Sequence, residues 1–261
     1  YILERAMKEA SLPLTLSDPS KNDNPLVFVN DAFEELTGYE ADGILGQNCR
    51  FLQGPDTDPK TVDDLREHIE AEESYTTEIK NYRQDGSTFW NQLDITPIYD
   101  DDGTLLRYLG SQSDITEAYR TREIRRRLLS TTQKLMNANT REEIAEIVVE
   151  AVVNILGHDP TVVYLRDHAG EKPLTPVAWP EPVDEVFGGP PEYQHNGPLF
   201  AAFEAGEPVV VDDIAARDEL DAAEFRPVES LLLVPLAESG MLGAGGYETG
   251  SFDAADLGCA R

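Results

Sequence analysis

The sequence predicts an α+β protein of two domains joined by a long helix, each domain built on an antiparallel sheet. Three observations carry this. The chain has 261 residues and 40% hydrophobic content, enough for two ordinary cores. Its first 113 residues alternate short apolar runs with turns rich in Asp, Asn, Gly and Pro. Residues 115–156 then contain no Gly or Pro, which reads as continuous helix, with an interruption near Asn137–Thr140 as the alternative.

The first elements follow from local chemistry. Residues 1–10 read as a short helix. P-L-T-L-S-D (13–18) and P-L-V-F-V-N (25–30) read as strands around an Asp/Asn/Pro turn. D-A-F-E-E-L-T-G-Y (31–39) reads as a helix capped by Asn30 or Asp31 and stopped by Gly38. A helical turn around Cys49 comes next. Residues 57–69 place Val62, Leu65 and Ile69 at helical spacing behind a Thr57 or Asp58 cap. Strands at 75–83, 87–98 and 104–113 are separated by Q-D-G and D-D-D-G, both hairpin signals.

In the long helix, Ile124, Leu128, Thr131, Leu135 and Ala138 step by 4, 3, 4 and 3. This is an a/d seam about two heptads long. It fits a coiled coil between identical chains or a helix packing on its own domain. Arg120, Arg122, Arg125, Arg126 and Arg127 cluster here, and pairing with local acids is the expected reading. Beyond it, strands are expected at 161–165, 173–179, 207–214, 230–236 and 241–247. Helices are expected at 197–206 and from 252, the latter cut short at Arg261. The domains are therefore drawn at 1–116, 117–139 and 140–261.

Net charge is −29. Residues 1–120 hold 25 acids and 10 bases, and residues 121–261 hold 25 and 11. The acid is spread evenly, and only 6 of the 21 bases are Lys. Such a surface suits a halophilic protein, and it repels nucleic acid. DNA contact is therefore expected only through a segment absent from this chain. No run of 18 apolar residues exists, so no membrane helix is expected. Two cysteines, Cys49 and Cys259, make no disulfide framework and suggest the cytoplasm. The chain opens on Y-I-L-E-R rather than Met, which reads as a fragment.

The stretch G-Q-N-C-R-F-L-Q-G at 46–54 carries the chemistry. With D-N-P-L-V-F-V-N-D-A-F-E-E-L-T-G-Y, N-Y-R-Q-D-G-S-T-F-W-N-Q-L and G-S-Q-S-D-I-T in order around it, residues 11–116 resemble a LOV domain. LOV domains are the blue-light-sensing, flavin-holding branch of the PAS family. The resemblance implies a PAS-type five-stranded antiparallel sheet and an FMN cofactor. It implies that Cys49 attacks C4a of the photoexcited flavin in a reversible adduct. It also implies that Gln112 faces flavin N5 and rotates when N5 gains a proton. Arg50 and Arg66 would grip the phosphate, as planar forks on a dianion. Asn48 and Gln53 are expected at the ribityl chain and the phosphate end. Asn81 and Asn91 offer a donor and an acceptor each to the pyrimidine edge. Ser17 and Asn24 match polar positions nearby. Leu52, Leu65, Leu93, Ile95 and Tyr108 would form apolar walls. There are departures: Thr15 replaces a common aliphatic, Tyr108 a common Phe, and Gly110–Ser113 is more polar than usual.

Residues 140–261 resemble a GAF domain in V-V-Y-L, A-A-F-E-A-G-E-P-V-V-V-D-D-I and E-S-L-L-L-V-P-L. Neither a bilin cysteine nor a cyclic-nucleotide signature is evident, and Trp179 and His195 read as core and loop. A relay or dimerisation module is expected, with a homodimer formed through the linker helix, the GAF domain or both. The order of domains is similar to haloarchaeal regulators of the bacterio-opsin activator type, which end in a DNA-binding helix-turn-helix. The expected function is a photoreceptor controlling transcription, with no turnover and hence no enzyme. Two alternatives stand: the sensor half of a histidine kinase, and a light-independent flavin redox module. No metal site is expected. His68, His158, His168 and His195 all lie outside the helical seam, and no ATP-binding motif is visible.

Overall fold

The computed structural model describes residues 2–166, 174–181, 183–184, 188–190, 198–217, 225–237 and 239–252. The chain divides into two compact units, Tyr1–Arg122 and Glu123–Arg261.

The first unit opens with α1 (Ile2–Lys8), β1 (Leu14–Ser17) and β2 (Leu26–Val29). Helices α2 (Asp31–Thr37) and α3 (Ala41–Ile44), a 3₁₀ turn (Cys49–Leu52) and α4 (Pro59–Glu70) follow. Then come β3 (Tyr75–Tyr82), β4 (Thr88–Tyr99), β5 (Leu105–Asp114) and the start of α5 (Thr116–Asn137). The five strands form one sheet in the order β2-β1-β5-β4-β3, with every pairing antiparallel.

Asn30 fixes how the chain enters the helices. It is fully buried. Its Oδ1 accepts from Phe33 N and from Leu14 N, so it caps α2 and ties that cap to β1. Its Nδ2 donates to the carbonyls of Met7, Ala10 and Leu12, which anchors the segment behind α1. Gly38 ends α2 at φ 76°, a left-handed conformation that disfavours a side chain. Asp58 caps α4 by accepting from Lys60 N and Thr61 N, with Pro59 in the first turn. Leu26, Val29, Phe33, Ile44 and Leu52 close the small core under the helices.

Strand alternation does the rest. On β5, Tyr108, Gly110 and Gln112 are buried while their neighbours are not. Their partners across the sheet include Thr15 on β1, opposite Gly110, and Leu93 on β4, opposite Gln112. One face of the sheet thus gathers the residues that line the site.

The second unit begins within α5 and continues through α6 (Arg141–Ala151), a π-helical turn (Val152–Leu156), β6 (Thr161–Arg166) and β7 (Leu174–Ala178). It ends with α7 (Pro198–Ala205), β8 (Val209–Val211), β9 (Ser230–Pro235) and β10 (Gly240–Gly246). The sheet order is β7-β6-β10-β9-β8, again antiparallel throughout. Alternation splits its core in two. Val163, Leu232, Val234 and Leu242 pack with Ala145 and Val149 of α6, while Tyr164, Leu233 and Met241 pack with Ala202 of α7.

The long helix is interrupted, as the sequence left open. Thr140 Oγ1 accepts from Glu143 N, and Glu143 Oε2 accepts from Thr140 N and Asn139 N. This reciprocal cap starts α6 afresh. Two details differ from the sequence reading. Helix α3 is additional, and β8 spans three residues where 207–214 was expected. Most of the helix expected from 252, with His168, His195 and Cys259, lies outside the described residues. Among the described residues, no helix is long and apolar enough to cross a membrane.

Candidate functional site

A cleft partly open to solvent lies between the sheet and the helical segments of the first unit. The β1–β2 region contributes Thr15, Ser17, Asn24 and Leu26. The 3₁₀ turn and its flanks contribute Asn48, Cys49, Arg50, Leu52 and Gln53, and α4 contributes Leu65 and Ile69. The three long strands contribute Ile79, Asn81, Asn91, Leu93, Ile95, Tyr108, Gly110 and Gln112.

The turn is built to present the thiol. Asn48 Oδ1 accepts from Arg50 N, and Asn48 Nδ2 donates to Asp23 O, so the residue before Cys49 is held at both ends. Burial pushes the Cys49 thiol up to about 12. At neutral pH it is a thiol and not a thiolate, and so a poor nucleophile at rest.

Arg50 forms a two-pronged pair with Asp23, at 2.6 and 2.7 Å. That hydrogen bonding raises the Arg50 pKa and holds the Asp23 carboxyl below its ordinary value. Both side chains are exposed, so the pair is exchangeable rather than structural.

The floor is an amide chain. Asn81 Nδ2 donates to Leu52 O at 3.2 Å, and Asn91 Nδ2 donates to Asn81 Oδ1 at 3.0 Å. Asn91 Oδ1 accepts from Ser113 N at 3.3 Å. Tyr108 turns its hydroxyl away to Ile69 O at 2.6 Å, leaving its ring for the wall. Two buried side-chain oxygens, Asn24 Oδ1 and Gln112 Oε1, have no partner among the described residues. Buried polar atoms are rarely left so, and both belong to cleft-lining residues.

The sequence-predicted residues thus converge, with one exception. Arg66 does not line the cleft. It pairs with Asp63 at 2.7 Å on the exposed side of α4. It lies on α4 next to cleft-lining Leu65, but a long side chain beside an acid one turn away takes the nearer partner. Leu26, Ile69, Ile79 and Gly110 line the cleft beyond those expected, and Thr15 does so where the sequence marked only a departure. Period-two alternation from Asn81 and Gln112 points to Ile79 and Gly110.

Comparison with known proteins agrees with this geometry. A profile of the PAS domain matches residues 14–117, and a profile of the GAF domain matches residues 138–260. The chain carries a PAS domain followed by a GAF domain. Over 111 residues it is 47% identical to a protein of Brucella anthropi named blue-light-activated histidine kinase, covering 42% of this chain and 23% of that one. Over 150 residues it is 43% identical to blue-light-activated histidine kinase 1 of Erythrobacter litoralis, covering 57% and 40%. Over 164 residues it is 38% identical to the bacterioopsin transcriptional activator of Halobacterium salinarum, covering 57% and 24%. The chain thus spans less than half the length of each of these relatives.

These names correct one expectation. The chain was expected to be no enzyme, with the sensor half of a histidine kinase as an alternative, yet two of the three relatives are named histidine kinases. The chain covers only 23% and 40% of those two proteins, and absence of turnover at Cys49 says nothing of the rest of them.

The GAF domain offers less chemistry. Trp179 packs against its core and donates Nε1–H to Asp184 Oδ1 at 2.8 Å. Among the described residues, no group of three or more His, Cys, Asp or Glu is placed to hold a metal.

Proposed function

We propose that the PAS domain is a LOV-type blue-light sensor that holds FMN in the Cys49 cleft and signals through α5 toward the GAF domain. The observation that carries this is the shared cleft of Cys49 and Gln112, a protonated thiol and a buried amide whose oxygen lacks a partner.

The residues present fit a flavin. The orphaned oxygens of Asn24 and Gln112 await donors, the Asn81–Asn91 pair offers both polarities, and Leu52, Leu65, Leu93, Ile95 and Tyr108 supply apolar walls. The flavin, when bound, supplies the light absorption and an electrophilic carbon for sulfur. The protein does the positioning. Cys49 holds its proton at rest and would supply the sulfur. Arg50 would exchange Asp23 for the phosphate, and Asn48 and Gln53 would hold the chain beside it. Arg66 joins them only by leaving Asp63. Gln112 reads the proton state of the ring with whichever amide end faces it. Its strand, β5, leads through Asp114 into α5, so a changed amide is felt where the helix begins.

The protein is further proposed to act as a cytoplasmic homodimer. Ile124, Leu128 and Leu135 of the α5 seam are 47%, 51% and 36% exposed, which suits a second copy. Control of transcription is the output we favour, from the similarity to the Halobacterium salinarum activator. DNA contact would come through a segment outside these residues. The kinase relatives make a phosphotransfer output the second reading.

Blue illumination of the purified protein with FMN tests the sensor. A structured blue absorption band that bleaches and recovers in the dark is expected. A flavin-free protein, or a spectrum indifferent to light, contradicts the proposal.

A further inference from the structure

Gln112 has a partner that accepts either end of its amide. The Thr15 hydroxyl accepts from Gln112 Nε2 at 3.4 Å and donates to Gly110 O at 3.5 Å. Thr15 is 5% exposed and Gln112 is 2% exposed, so water is a poor substitute at either. Gly110 makes the meeting possible. A Cβ at that position would stand 2.5 Å from Thr15 Oγ1 and 3.0 Å from Gln112 Nε2. The absence of a side chain leaves a space that the hydroxyl and the amide share.

We infer that Thr15 is a positioning residue that hydrogen-bonds Gln112 in both orientations of its amide. A hydroxyl both donates and accepts. With nitrogen toward Thr15, as observed, the hydroxyl accepts and spends its proton on Gly110 O. With the amide inverted, the same proton swings to Gln112 Oε1. An aliphatic residue would leave one end of a buried amide unpaired in each orientation. Both observed distances are long for hydrogen bonds, so neither locks the amide in place.

The observed orientation leaves Gln112 Oε1 buried in the cleft with no hydrogen-bond partner among the described residues. That end serves a ring nitrogen carrying a proton, and the inverted amide serves one without. Removing the hydroxyl orphans an N–H in the first state and a carbonyl in the second. Buried orphan N–H groups are the rarer and costlier. Thr15→Val therefore disfavours the first state more, and dark recovery should accelerate by about fivefold, the effect of one modest hydrogen bond.

The inference rests on the proposed light-sensing role, and the experiment separates the two. Dark recovery after blue light is compared in wild type, Thr15→Val, Thr15→Ser, Gln112→Leu and the Thr15→Val/Gln112→Leu pair. The light-minus-dark infrared band of the isotope-labelled Gln112 carbonyl is recorded alongside. Expected are fast recovery and an altered carbonyl band in Thr15→Val, return toward wild type in Thr15→Ser, and no added effect of Val once Gln112 is Leu. Wild-type recovery and an unchanged band in Thr15→Val, or additive effects in the pair, overturn it. If Thr15→Val does not fold, Thr15→Ser and Gly110→Ala supply the comparison, the latter expected to push hydroxyl and amide apart. If wild type does not bleach, the light-sensing reading fails. The dark NMR shift of the Gln112 side-chain amide, unmoved by Thr15→Val, would then overturn the contact separately.

Discussion

Trp90 and Tyr119 stack with ring centroids 3.7 Å apart and planes 11° from parallel. The stack joins β4 to the first turns of α5. Around it, Trp90 N donates to Thr116 Oγ1, Ile115 N donates to Trp90 O, and the Arg122 guanidinium pairs with both oxygens of Glu78 while lying over the Tyr119 ring. The start of α5 is therefore fastened to the sheet that carries the cleft.

Tyr119→Ala should loosen that fastening without touching the cleft. An aromatic pair contributes about 1 kcal/mol beyond its area, so amide exchange over residues 116–122 should quicken about fivefold. Exchange mass spectrometry reads this directly. Unchanged protection would mean the stack does not hold the helix.

Asn30→Ala should be among the most damaging single changes in the PAS domain. It removes a helix cap and leaves three backbone carbonyls without their donor. A loss of about 2–4 kcal/mol is expected from the cap and buried hydrogen bonds together. Denaturant unfolding checks it, and a loss under 1 kcal/mol would contradict the role given to Asn30.

Cys49 makes stability depend on alkaline pH. Its folded pKa is raised from 9.0 to about 12, so the native state keeps a proton that the unfolded chain releases. The contribution is fully present below pH 9 and declines as pH rises toward 12. Cys49→Ala should flatten the wild-type fall in melting temperature between those limits, and a thiol reagent at pH 8 should label the native protein far more slowly than the unfolded one. Rapid native labelling would contradict the raised pKa of the thiol.

Leu128→Asp should abolish self-association if the α5 seam pairs two copies. A charge at a core position of a coiled coil is strongly unfavourable. Sedimentation of wild type and variant decides the matter. A wild-type monomer, or a variant dimer, contradicts the seam.

Much of this site was legible in the sequence, for a physical reason. Asn81, Asn91 and Gln112 sit on strands, where period-two alternation fixes the face of every side chain once the sheet is known. Cys49 and Asn48 lie in a turn whose capping amide is written into the sequence. What was not legible depends on side-chain reach or on register between distant strands. Arg66 chose Asp63 and Arg50 chose Asp23, choices made by flexible side chains among nearby acids. The meeting of Thr15, Gly110 and Gln112 needs β1 beside β5 in one register, across 95 and 97 residues of sequence. Helix α3 spans only Ala41–Ile44, too short to show a periodicity.

The central claim is that Cys49 is the residue through which light acts. Its most direct test is the light-minus-dark absorption spectrum of the FMN-loaded wild type beside Cys49→Ala. The account predicts that both bind flavin, that wild type bleaches under blue light and recovers in the dark, and that the variant shows no recoverable bleaching. Identical bleaching and recovery in the two proteins would contradict it.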